Sequence, residues 1–276
     1  MVLHRKLMLR VASCMAPSAD EMCRDLVEYL KLALGMHVEL VDTVAWRERE
    51  RMLETGEIDL CWICGLPYVQ KVDAGHGIEP CVAPVMPAKR YQGRPIYFSE
   101  LIVRADSPYT SFTDFRGEAW VFNEPRSHSG FNVICHYLAT QRLTLDYFAR
   151  LVEAGAHQVA LELILAGEVA AGAIDSTVLE AELRRRPSLA GRLRSVGTLG
   201  PSPAPPWVFS AKVPPELRRR VTQCLAGMHH TNTGAAVLAG WGIAELGPVA
   251  DRTYDPIREM ARIGASATVG TKPRLG

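Results

Sequence analysis

The residues best suited to chemistry lie in one stretch, Phe122-Asn123-Glu124-Pro125-Arg126-Ser127-His128-Ser129-Gly130-Phe131-Asn132. The apolar run 118–122 before it reads as a buried strand, and residues 131–138 after it carry apolar side chains at helical spacing. Two hydroxyls and a glycine thus fall where a helix should begin. A helix start offers backbone N–H groups without intrahelical acceptors, together with the positive end of the dipole, so it attracts oxyanions. Ser127 and Ser129 add hydroxyl donors, and Gly130 lets the backbone approach a bound group closely. Ordinary helix capping uses the same residue types, so the stretch alone leaves both readings open.

The elements around this stretch alternate. Residues 7–13 read as a strand, 20–34 as an amphipathic helix stopping at Gly35, 36–41 as a strand, and 46–55 as a charged helix ending at Gly56. Residues 58–64 then form a third strand that runs into Gly65-Leu66-Pro67-Tyr68. This rhythm predicts a parallel sheet with helices on its faces, and ligands of such sheets gather at the carboxyl ends of the strands. Residues 81–85 and 97–104 read as strands with no helix between them, and the second could leave the first lobe as a hinge. A second unit follows: a short helical turn at 111–117, the strand before Ser127, and a helix and strand within 143–152 whose limits the pattern does not separate. Then come a helix at 159–166 closed by Gly167, a small apolar strand at 169–176 ending in Asp175 and Ser176, a helix at 178–186 and a strand at 193–199. The proline-rich run 201–206 reads as a stiff extended crossing, followed by a helix opening at Pro214-Pro215 and amphipathic segments at 234–246 and 255–263.

Composition excludes several classes of function. Of 276 residues 48% are hydrophobic and 22% charged, and the formal net charge is +1, so no global field points to nucleic acid or a membrane surface. No apolar run approaches the ~20 residues that span a bilayer. The basic N-terminal decapeptide is not followed by a signal-peptide core, so export is not expected from the chain as given. Seven scattered cysteines argue against a disulfide scaffold and lean towards a reducing compartment.

Taken in order, these segments resemble the substrate-binding proteins of phosphate, phosphite and phosphonate ABC transporters, the phosphonate-binding branch of the type II periplasmic binding proteins. The resemblance rests on Gly56-Glu57-Ile58-Asp59-Leu60-Cys61-Trp62, Gly65-Leu66-Pro67-Tyr68, Tyr97-Phe98-Ser99-Glu100-Leu101-Ile102-Val103, Ser111-Phe112-Thr113-Asp114-Phe115-Arg116-Gly117, Ser127-His128-Ser129-Gly130, Gly155-Ala156-His157-Gln158 and residues 167–176. It covers roughly residues 7–230. It implies an α/β fold of two lobes, each a mostly parallel sheet flanked by helices, joined by two hinge strands and closing on a ligand in the cleft. The corresponding division is residues 1–100 for the first lobe, 101–203 for the second, and 204–276 for the return to the first lobe with the C-terminal helices.

Carried over by position, the resemblance gives Ser127, His128, Ser129 and Gly130 to the phosphoryl oxygens, with Tyr97 and His157 as further donors. Asp175 falls where relatives place an acidic group against the non-phosphoryl part of the ligand, and Trp62 and Tyr68 would form the opposite wall. His128 stands where relatives often carry a small hydroxyl residue, narrowing that side or adding a titratable donor. The implied partners are a small anionic ligand and an ABC permease, with no cofactor, no metal, no nucleic acid and no catalytic residue. The implied compartment is the periplasm, against the cytoplasmic lean of the cysteines. The competing functions are a cytosolic enzyme on the same bilobal fold and an intracellular ligand sensor. Blander roles compete residue by residue: helix capping for His157 and Asp175, a core position for Tyr97, burial for Cys61 and Cys64, and a solvated helix end for Arg184-Arg185-Arg186.

Overall fold

A computed structural model describes residues 8–15 and 19–268. The N-terminal stretch before Met8 and the small-residue loop at 16–18 lie outside the described residues. In chain order the strands and helices are β1 (Met8–Ser13), α1 (Ala19–Leu34), β2 (His37–Leu40), α2 (Trp46–Thr55), β3 (Leu60–Trp62), α3 (Gly65–Asp73) and β4 (Glu79–Val85). Next come β5 (Ile96–Arg104), β6 (Ala119–Phe122), α4 (Val133–Thr140), β7 (Arg150–Glu153), α5 (His157–Ala166), β8 (Ala171–Asp175), α6 (Ser176–Arg185) and β9 (Leu193–Pro203). The chain ends with β10 (Trp207–Phe209), α7 (Pro215–Ala226), α8 (Asn232–Gly240), β11 (Glu245–Pro248) and α9 (Asp255–Thr268).

Contacts divide the chain into two units, one taking the residues up to Ile96 and Ala204–Tyr254, the other Tyr97–Pro203 and the residues from Asp255 on. The sheet of the first unit has the order β11-β4-β10-β3-β1-β2. Its strand–helix rhythm follows the sequence pattern: α1 buries Cys23, Leu26, Val27 and Leu30 along one face. Helix α2 stops where Gly56, at φ 71°, turns its N–H back to the Leu53 carbonyl. Three elements escape the sequence pattern. Strand β10 is only three residues long and lies between β3 and β4, antiparallel to both, too short to display a period. The amphipathic segment expected at 234–246 divides into α8 and the start of β11, and α3 carries a proline in its first turn.

In the second unit the order is β7-β6-β8-β5-β9. Strands β7, β6 and β8 are parallel, so Glu153, Phe122 and Asp175 finish along one edge. Alternation on β6 builds a core on each face of the sheet. Trp120 and Phe122 join Phe112, Phe115, Leu138, Tyr147 and Phe148 on one side, while Val121 joins Ile102, Leu161, Ile164 and Ile174 on the other.

The division expected from the sequence needs two corrections. The first change of unit comes at Ile96/Tyr97, not at 100/101, and a third change follows Tyr254, so α9 does not stay with the returning segment. The reason is packing: α9 lies on α4 and buries Ile257, Gly264 and Ala267. A Cβ at Gly264 would stand 2.9 Å from the His136 backbone nitrogen, so only glycine admits this approach. Gly264→Val is expected to destabilise the protein by about 1–3 kcal/mol through overpacking. A urea midpoint equal to that of the wild type would refute this close contact.

Candidate functional site

Strand β6 delivers the chain to Ser127, whose extended backbone (φ −73°, ψ 129°) makes it the cap of the following helix. Its Oγ accepts from the Gly130 N–H at 3.1 Å. The first turn, His128–Asn132, is π-helical, with the Asn132 N–H donating to the Ser127 carbonyl at 3.0 Å, and it runs directly into α4. An i→i+5 turn at a helix start leaves the leading N–H groups, those of His128 and Ser129, without an acceptor inside the helix. Such an arrangement can cradle an anion on backbone amides, with the positive dipole end behind them.

A second helix start comes alongside. The Gly155 N–H donates to the Asn123 carbonyl at 2.7 Å and the Ala154 N–H to the Phe122 carbonyl at 2.8 Å, which zips the two strand-to-helix loops together. His157, the first residue of α5, then pairs its Nε2 with the Ser129 Oγ at 2.9 Å, and the two serine hydroxyls are 3.5 Å apart. Burial pushes the His157 pKa down to about 4, so its imidazole is neutral near pH 7 and offers one N–H. Its Nδ1 is buried and has no partner among the described residues. Gly130 is closed in: a Cβ there would lie 2.0 Å from the Asn123 side-chain oxygen and 3.3 Å from the His157 Cε1. Asn123, part of the stretch but given no role by sequence reasoning, therefore belongs to this site.

His128 takes a different part from the one expected. It is fully buried, its Nδ1 accepts from the Asn132 side-chain amide at 3.0 Å, and its Nε2 faces the Ser202 Oγ at 3.0 Å. With Nδ1 accepting, the ring proton sits on Nε2 and is donated to Ser202. Both nitrogens are used within the unit, and burial together with His136 pushes the pKa down to about 3. The titratable donor expected at this position is corrected to a brace between the π turn and β9. Ser202 and Asn132 carried no sequence signal for this role, since their partner is set by the fold.

Tyr97 is 2% exposed, with its ring edge-on to His128 at 6.4 Å. Asp175 ends β8 and caps α6, accepting from the Thr177 N–H at 2.8 Å and the Thr177 hydroxyl at 2.7 Å, and burial pushes its pKa up to about 6. Directly across the ladder stands Ser99, whose Oγ is buried without a partner among the described residues. The second unit thus gathers Ser127, Ser129, Gly130 and His157 around one point, with Asp175 and Tyr97 on neighbouring strands.

The remaining two candidates belong to the first unit and are engaged there. Trp62 stacks on Trp207 at 6.0 Å and donates its indole N–H to the Pro205 carbonyl at 3.0 Å. Tyr68 is fully buried, donates to Asp251 at 2.7 Å and meets Tyr254 edge-on at 4.9 Å. Cys61 is buried with its sulfur 3.3 Å from that of Cys14, and among the described residues no cysteine is joined in a disulfide. Arg185 and Arg186 pair with Glu182 at the end of α6. Among the described residues no cluster of three or more His, Cys, Asp or Glu side chains is placed to hold a metal, and no helix is long and apolar enough to cross a membrane.

Residues 12–254 match the model of a family described as the periplasmic substrate-binding protein of phosphonate ABC transporters. Among solved structures, a binding-protein component of an ABC phosphonate transporter from Pseudomonas aeruginosa superposes with a TM-score of 0.82 at 16% identity, over 96% of this chain and 90% of the other. PhnD1 of Prochlorococcus marinus, in complex with methylphosphonate, gives 0.80 at 15% identity, over 92% and 97%. The aliphatic sulphonate-binding protein SsuA of Escherichia coli gives 0.62 at 16% identity, over 98% and 94%. At these identities the likenesses establish the fold, the two-sheet α/β architecture of the type II periplasmic binding proteins.

Proposed function

The chain belongs to the periplasmic substrate-binding proteins of phosphonate ABC transporters, and from that premise we propose that it holds the phosphoryl oxygens of its ligand at the Ser127–Gly130 helix start. It is a substrate-binding protein and not an enzyme, of a family that binds a small phosphonate and works with an ABC permease. In this reading the His128 and Ser129 amides and the Ser127 and Ser129 hydroxyls donate to the oxyanion, and the neutral His157 ring gives its one N–H, on Nε2, to the Ser129 Oγ and so orients that hydroxyl. Asp175 faces the part of the ligand that carries an amine or an acidic proton, since a carboxyl with a raised pKa tolerates an anionic neighbour better than an ordinary carboxylate. Tyr97 packs beside them, and His128 serves as the brace. The protein works in the periplasm and passes its ligand to a permease.

The observation that carries the reading is the pair of helix starts joined by the Ser129–His157 bond at 2.9 Å. A desolvated oxyanion needs several donors, and bonds to a charged acceptor are the stronger kind. The test is a thermal-shift and calorimetric screen with methylphosphonate, aminoethylphosphonate, phosphite, phosphate and sulfate. A ligand at a hundred times its Kd adds about 2.7 kcal/mol to stability. Ser129→Ala removes one bond to a charged group, about 1.5–3 kcal/mol, so affinity should fall roughly ten- to a hundredfold. Folded protein with no affinity for any phosphorus oxyanion would sink the proposal, and unchanged affinity in Ser129→Ala would move the site elsewhere.

A further inference from the structure

The hydrogen bonds inside the Ser127–Gly130 turn decide whether its two hydroxyls give or take a proton. The Ser127 Oγ accepts from the Gly130 N–H at 3.1 Å, and the Ser129 Oγ lies 2.9 Å from the His157 Nε2. The His157 ring is buried and neutral, so it carries one N–H. Its Nδ1 is buried with no partner among the described residues. A buried acceptor without a partner is less rare than a buried N–H without one, which puts the ring proton on Nε2, donated to Ser129. Each serine oxygen thus has an internal donor on it and keeps its own proton to give. The two oxygens are 3.5 Å apart, at the limit of a hydrogen bond, and neither hydroxyl has a further partner among the described residues.

The groups this turn can offer a ligand are therefore donors: two hydroxyls and the leading amides of the π turn. The acceptors nearby are engaged or buried. The His128 Nδ1 is taken by the Asn132 amide, and Asp175 by the Thr177 N–H and hydroxyl. The Asn123 side-chain oxygen and the His157 Nδ1 are both buried. A phosphonate dianion presents three oxygens that only accept, which matches a face of donors. A monoanion carries a P–OH whose proton would stand against an N–H or O–H, leaving two donors without acceptors after both had left water. We propose that this turn takes its phosphonate as the fully deprotonated dianion and rejects the protonated monoanion. The inference rests on the phosphonate-binding reading above and adds the charge state of the ligand.

Apparent affinity then follows the fraction of ligand that is doubly ionised, so below the ligand's second ionisation it should fall about tenfold per pH unit. Helix α4, strand β8 and helix α9 pack against the turn. The titratable groups they bring are His136, Asp175 and Glu259, beside His128, His157 and the loop residues Glu124 and Arg126. Asp175 ionises inside the useful window, at about 6. Two ligands separate the ligand's proton from those of the protein: methylphosphonate and trifluoromethylphosphonate, whose second ionisation lies lower because fluorine withdraws electrons. Calorimetric titrations of the full chain would run from about pH 5.5 to 8, around the second ionisation of a phosphate group, with each free ligand's ionisation followed by phosphorus NMR. Methylphosphonate should weaken as the pH falls through its own second ionisation, while the fluorinated ligand holds its affinity over the same interval. The contrast should persist in Asp175→Asn. Profiles that change together for both ligands, or a methylphosphonate slope lost in Asp175→Asn, would assign the proton to the protein and overturn the inference. Affinity for methylphosphonate that rises as the pH falls would show the monoanion to be the bound form and overturn it too. Binding of neither ligand by folded protein would instead overturn the phosphonate reading, and the charge state with it.

Discussion

Gly130→Ala is expected to abolish phosphonate binding while changing stability by less than about 1 kcal/mol. The two effects separate because of what the new methyl group meets. Gly130 lies in a helical turn with ordinary negative φ, so alanine fits the backbone and is the better helix former by about 1 kcal/mol. Against that gain stands a Cβ placed 2.0 Å from the Asn123 side-chain oxygen and 3.3 Å from the His157 ring. Overpacking of this kind costs about 1–3 kcal/mol when the neighbours are rigid, but the end of an asparagine side chain can rotate away. The amide should therefore leave its place and the His157 ring should shift against Ser129. The fold survives and the donor geometry does not. Calorimetry with methylphosphonate and a urea titration would read the two effects in one variant. Retained affinity would show that the Gly130 surface does not face the ligand.

Acid should destabilise the protein between pH 5.5 and 4.5 by about 1.4 kcal/mol per unit beyond the contribution of its exposed carboxylates. His128 and His157 titrate at about 3 and about 4 in the folded protein, against 6.5 when unfolded. Each is buried neutral, so in this window the unfolded chain binds a proton that the folded chain refuses, and stability falls as the pH falls. Asp175 acts in the opposite sense. Its folded pKa of about 6 lies above the ordinary 3.8, so its contribution is fully present below 3.8 and is lost as the pH rises through 6. Two histidines against one aspartate leave about one net proton, which sets the slope. His128→Gln keeps an amide that can donate to Ser202 and removes one titration, so the variant should start less stable at pH 7 yet show an almost flat profile across the window. Urea titrations at three pH values would decide it. A slope equal to that of the wild type would mean that His128 is not held neutral in the fold.

Much of the architecture was legible in the chain. Gly35, Gly56 and Gly167 mark helix ends because a left-handed residue must follow the last turn, and the structure places them there with φ of 59°, 71° and 74°. The Ser111–Asp114 capping box and the strand before Ser127 are equally local, each set by a few consecutive residues and the alternation of Trp120, Val121 and Phe122. The helix start at Ser127, on which the proposed oxyanion site rests, belongs to this class too, since hydroxyls and glycine there act through their own backbone.

Other features depend on partners far away in sequence, and no local pattern carries them. Whether the His128 ring faces a ligand or the interior is decided by Ser202, 74 residues on, and the partner of the His157 ring is Ser129, 28 residues back. The place of α9 depends on a glycine that tolerates the backbone of α4. Asn123 carried no role in the sequence, and the fold puts it against Gly130 with its side-chain oxygen unpaired among the described residues. The chain by itself thus determined most of the element order, the α/β class and the helix start at Ser127, because these follow from propensity, periodicity and backbone geometry. The tertiary structure alone decided which histidine is a brace, which polar atoms remain unpaired, and where the units part, because hydrogen-bond satisfaction and close packing are settled only when distant segments meet.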